Sequence, residues 1–128
     1  MDPVALDLNM LADYLLARAA ENPQHRASQR IDLDHEQLHI TAIGFAEGGE
    51  VPEHRNPGEA VLQVVRGRIR LTDAVRAIDV SVGMIARIPN GVHRVEALEP
   101  SVILLTALPL PGRHERGAAE SGLLAARA

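Results

Sequence analysis

From Ser28 to Leu108 the chain is a series of short aliphatic or β-branched runs separated by glycine, proline and asparagine turns. The turns recur roughly every 8–12 residues and no helical period falls between them, the pattern of an all-β sandwich or barrel. Arg30-Ile31-Asp32-Leu33 alternates, and Leu38–Phe45 forms a longer β-branched segment before the turn Glu47-Gly48-Gly49. Pro57-Gly58 turns into Ala60–Val65, whose continuous aliphatic run reads as a buried strand. Gly67 closes that run, and Arg68-Ile69-Arg70-Leu71 follows with arginines on one face and aliphatics on the other. Thr72-Asp73-Ala74 reads as a hairpin turn into Val75–Val82, where Ile78, Val80 and Val82 share a face. Gly83 then precedes Met84–Ile88, Pro89-Asn90-Gly91 is a turn, and Val92–Leu98 and Val102–Leu108 are the last strands. About eight strands are expected.

The one helical signal is LDLNMLADYLLARAA, residues 6–20, in which Leu8, Leu11 and Leu15, with Met10 and Tyr14, recur at three- and four-residue spacing. Asp7 or Asn9 is placed to cap its start, and Pro23 ends it by disfavouring helical geometry at Asn22. Residues 1–28 are thus expected as an N-terminal helical segment packed on the outside of a barrel of residues 29–110. Residues 111–128 mix proline, glycine and charge, and are expected as a tail that is flexible or bound to a partner.

A length of 128 residues suits one domain with a real core. Apolar residues make up 46% of it, yet Tyr14 and Phe45 are the only aromatics, which removes the stacking platforms that single-stranded nucleic acid uses. A net charge of −4 points away from phosphate backbones as well. Cysteine is absent, so disulfides, thiolate nucleophiles and cysteine-type zinc sites are all ruled out. The N-terminus lacks the basic region of a secretory signal, and no segment approaches the about 20 apolar residues that span a bilayer. A cytoplasmic protein is expected. No phosphate loop, nucleophile elbow or HExxH motif occurs.

Within Gly49–Gly67, GEVPEHRNPGEAVLQVVRG, His54 and Asn56 are two apart and so share a strand face. Together with Gly83-MIARI-Pro89-Asn90-Gly91-Val92-His93, this stretch resembles the two motifs of the cupin superfamily of small RmlC-like jelly-roll barrels. In the first motif Gly67 takes the closing glycine, His54 and Asn56 take the two histidine positions, and Ala60 falls where the family has glutamate, with Glu59 one residue away. The second motif fits with one residue fewer before its histidine, His93. The resemblance covers residues 36–108 and implies a cupin-type double-stranded β-helix. Metal-dependent cupins hold one divalent ion (Fe, Mn, Ni or Zn) on these four positions. Here His54 and His93 remain as ligands, Asn56 is a weak one, and Ala60 cannot bind.

Alternation sets His93 on the face of Val95 and Ala97, away from Arg94 and Glu96, so both imidazoles are expected inside the barrel. A pocket formed by His54, Asn56, Ala60, Leu62, His93 and Val95 is the expectation. Its alternative is a pair of core histidines satisfied by hydrogen bonds. Two further donors stand near: Glu59, which would have to turn in, and His39, on the face of Thr41, Ile43 and Phe45. Two functions follow. The first is a module that binds a small molecule between His54 and His93. The second is a metal-dependent enzyme of the dioxygenase, isomerase or decarboxylase kind acting on a small organic molecule. The resemblance also implies a homodimer, with residues 6–20 at or across the interface, covering sheet edges and an apolar face. Neither nucleic acid nor membrane is expected as a partner.

Overall fold

Of the two residues placed to cap the helix, Asp7 does so, its carboxylate accepting hydrogen bonds from the backbone N–H groups of Asn9 (2.9 Å) and Met10 (3.2 Å). The computed structural model describes residues 4–55 and 58–109. They form α1 (Leu8–Glu21) and nine strands, β1 (Arg26–Ile31), β2 (His39–Phe45), β3 (Glu50–Arg55), β4 (Gly58–Arg66), β5 (Arg68–Asp73), β6 (Ala77–Ser81), β7 (Ile85–Arg87), β8 (Val92–Ala97) and β9 (Ser101–Pro109). A five-stranded sheet in the order β1-β2-β9-β4-β7 faces a four-stranded sheet in the order β3-β8-β5-β6. Every strand pair is antiparallel.

The facing sides enclose the main core, to which Ile43, Phe45, Leu62 and Ile103 contribute from one sheet and Val51, Ile69, Leu71, Val80 and Val95 from the other. A second core lies outside the five-stranded sheet, where Leu11, Ala12 and Leu15 of α1 pack on Ile31, Ala42 and Val102. β2 is consequently covered on both faces from Thr41 to Phe45, which explains its unbroken apolar run.

Four local differences from the sequence reading have physical causes. The buried stripe of α1 is Leu11, Ala12, Leu15 and Ala19, whereas Met10 and Tyr14 are 70% and 49% exposed. Small alanines let the helix lie close to β2. The approach is so close that a Cβ on Gly44 would meet the Cβ and backbone of Leu15 at 2.8–2.9 Å. The Ala60–Val65 run is not buried throughout. Leu62 and Val64 point inward, while Glu59, Val61 and Gln63 face outward and are exposed, since α1 packs mainly over β1 and β2. The first strand starts at Arg26 and stops at Ile31, so Asp32 and Leu33 lie beyond it. Val75–Val82 is shortened at its start because the Asp73 carboxylate accepts from the N–H groups of Val75 (2.8 Å) and Arg76 (2.9 Å), holding those residues in the turn.

The corner between β4 and β5 carries the chain from one sheet to the other. Gly67 has φ +78° there, and a Cβ on it would collide with the Pro100 carbonyl and the Ser101 hydroxyl.

Candidate functional site

His54, His93 and Asp73 occupy one rung across three neighbouring strands. β8 pairs with β3 in register His54↔His93 and with β5 in register Asp73↔His93. Cross-strand partners project to the same side of a sheet. His93 shares the side of Val95 and Ala97, which are buried in the core, and is itself 2% exposed.

β3 reaches that arrangement through an irregularity. Its register shifts between Val51 and His54, three residues spanning what β8 covers in two, Val95 to His93. Unbroken alternation would put Val51 and His54 on opposite faces, but the extra residue of a β-bulge brings both inward. Pro52 sits in this bulge on an edge strand, where its missing N–H breaks no ladder.

The two imidazole rings meet edge to face, with centroids 4.1 Å apart and planes at 69°. Each is tied to its own strand: His54 Nδ1 lies 2.7 Å from the Pro52 carbonyl oxygen and His93 Nδ1 lies 3.1 Å from that of Gly91. A carbonyl only accepts, so both rings carry their proton on Nδ1, and in the neutral state each Nε2 is an acceptor. Burial lowers the pKa of His54 from 6.5 to about 4, outweighing the Pro52 hydrogen bond that raises it, and His93 close by lowers it further. Burial also lowers that of His93, against the raising effects of the Gly91 hydrogen bond and of Asp73. Two neutral acceptor rings therefore stand side by side at neutral pH.

Across the barrel, Ala107 of β9 pairs with His39 of β2 and with Ala60 of β4. His39 alternates with Thr41, Ile43 and Phe45, so it lies on the interior face. Thr41 is fully buried there, and its hydroxyl has no hydrogen-bond partner among the described residues. Of the expected pocket, His93, Leu62 and Val95 are buried, with His54 and Ala60 partly so. Asn56 lies outside the described residues. Glu59 is exposed on the outer face, turned from the interior rather than into it. Asp73 went unnoticed in the sequence because it reads as a turn residue. Its interior parity with Ile69 and Leu71 was the available signal.

Among the described residues, the donor set does not fit a resident divalent ion. A closed metal site uses about four protein ligands and a catalytic one about three. Among the described residues no three histidine or acidic side chains are placed to hold an ion, and Ala60 offers no donor where the family motif has an acid.

No protein-family model matches the chain, and no curated protein matches it significantly. Solved structures do. A conserved protein of unknown function from Streptococcus pyogenes superposes with a TM-score of 0.66 at 22% identity, over 88% of this chain and 92% of that one. A cupin superfamily protein from Desulfitobacterium hafniense gives 0.62 at 19% identity, over 66% and 78%. An RmlC-like cupin protein from Desulfovibrio desulfuricans gives 0.58 at 24% identity, over 70% and 88%.

Proposed function

We propose that this chain, a barrel of the cupin fold, binds a small uncharged molecule in its interior, one that donates hydrogen bonds to His54 and His93. The observation that carries this reading is the pair of imidazoles with ring centroids 4.1 Å apart, each with Nδ1 on a backbone carbonyl so that Nε2 of the neutral ring is left to accept. The buried Thr41 hydroxyl supports it, since a buried polar group without a partner costs stability unless something supplies one. A carboxylate brings acceptors to acceptors and is disfavoured between these rings. A hydroxyl, amide or ring N–H is matched.

Native mass spectrometry of the purified protein, followed by NMR titration with neutral diols and amides, tests this. The expected result is saturable binding that weakens about tenfold or more in a His54→Ala, His93→Ala double variant. Binding unchanged in that variant would overturn it. Incubation with Fe(II), Mn(II), Ni(II) or Zn(II) is expected to leave metal far below one ion per chain. Near-stoichiometric metal that disappears in the double variant would instead support a metal-dependent enzyme.

A further inference from the structure

A cavity of about 450 Å³ meets the interior rung at Asp73, but its lining includes none of the six expected pocket residues. It lies where the two sheets end beside one another, β6 closing the four-stranded sheet and β7 the five-stranded one. Its floor is Leu71, Val80 and Ala86, and its rim carries Asp73, Arg76 and Arg87. This volume falls in the range of small-ligand sites, which run about 300–1,000 Å³ and combine apolar walls with a few polar groups.

Two features specify the ligand. Arg66, Arg68, Arg70 and Arg94 each have a carboxylate within 4.0 Å, whereas Arg76 and Arg87 have no such ion pair among the described residues. With one carboxylate and two guanidinium groups on the rim, the cleft has a net charge matched by a single anion. The apolar wall is incomplete as well: Ile78, Met84 and Ile85 line the cleft yet remain 43%, 47% and 64% exposed. An apolar body of ligand size would cover them.

We infer that the cleft between β6 and β7 binds a small monocarboxylate with an apolar body, the carboxylate on Arg87 and Arg76 and the body against Leu71, Val80 and Ala86. A guanidinium fork suits a carboxylate in two-pronged geometry. The fixed Asp73 carboxylate repels a second negative charge, which selects monoanions over dianions. The cleft meets the imidazole rung only at Asp73, and because its ligand is an anion rather than a neutral hydrogen-bond donor, its test is distinct from that of binding between the rings.

The test is a ¹H–¹⁵N NMR titration of the full chain with hexanoate and benzoate, beside hexanol and benzyl alcohol. Saturable shifts centred on Leu71, Ala86 and Arg87 are expected with the carboxylates, and binding of the alcohols about ten- to a hundredfold weaker. An Arg76→Gln, Arg87→Gln variant, which keeps most of each side chain and a native spectrum elsewhere, should lose carboxylate binding by a similar factor. The single variant His54→Ala, which touches neither the cleft nor a strand that lines it, should retain it within about twofold. No saturable shift with either carboxylate, alcohols binding equally well, the arginine variant binding like the parent, or loss of binding in the histidine variant would each overturn the assignment.

Discussion

His54 links local geometry to behaviour in solution. Its pKa in the folded protein is about 4, against 6.5 for an unperturbed imidazole. Between those values the unfolded chain binds the proton more readily than the folded one, so stability falls as pH drops from 6.5 toward 4 and is unaffected above that window. The ring is only partly buried and screening moderates the effect, which leaves a loss on the order of 1–2 kcal/mol. Urea denaturation at pH 7 and pH 4.5 should show this difference, reduced in His54→Ala. Histidine ¹⁵N spectra at pH 7 should show both rings neutral with the proton on Nδ1. Ser101 has a different role. Its buried hydroxyl accepts from the Arg68 N–H (2.9 Å) and lies 2.7 Å from the Glu99 carbonyl, closing the corner that Gly67 turns. Ser101→Ala leaves those groups short of a partner and should cost about 1–3 kcal/mol, read as a lowered denaturation midpoint at unchanged slope.

At the level of elements, α1 is anchored by two large side chains, Leu11 and Leu15, the latter the more deeply buried. Leu15 is 1% exposed and sits over Gly44, while the neighbouring buried positions are mostly alanine. Leu15→Ala should therefore destabilise by about 3 kcal/mol, with the interior rung undisturbed, as denaturation and the histidine spectra together would show. The helix was legible from its period and its Asp7 cap. Its buried face was not, because Met10 and Tyr14 fit the period as well as Ala12 and Ala19 do, and closeness to Gly44 chose the smaller side chains. β3 gives the same lesson. Alternation alone sets His54 inward with Asn56, but only the bulge reconciles that with an inward Val51.

For the whole molecule, Leu6 just before α1 and Met10 and Tyr14 on it, 42%, 70% and 49% exposed at four-residue spacing, are the side chains that the expected homodimer would cover. Light scattering at micromolar concentration should give twice the chain mass, and Met10→Glu with Tyr14→Glu should return it to one. No described helix is long and apolar enough to cross a membrane. Turn residues and alternation were sufficient to specify an all-β sandwich or barrel and to put His93 on an inward strand position, because a strand's period records locally which side is buried, while the jelly roll came from the resemblance of the two motifs. Tertiary structure decided the rest: that Asp73 joins the imidazoles on one rung, that α1 covers β2 but leaves the outer side of β4 open, and that a charged cleft remains where β6 and β7 end. Those depend on register and packing between strands distant in sequence, and the chain's own periodicity carries no record of which strand becomes whose neighbour.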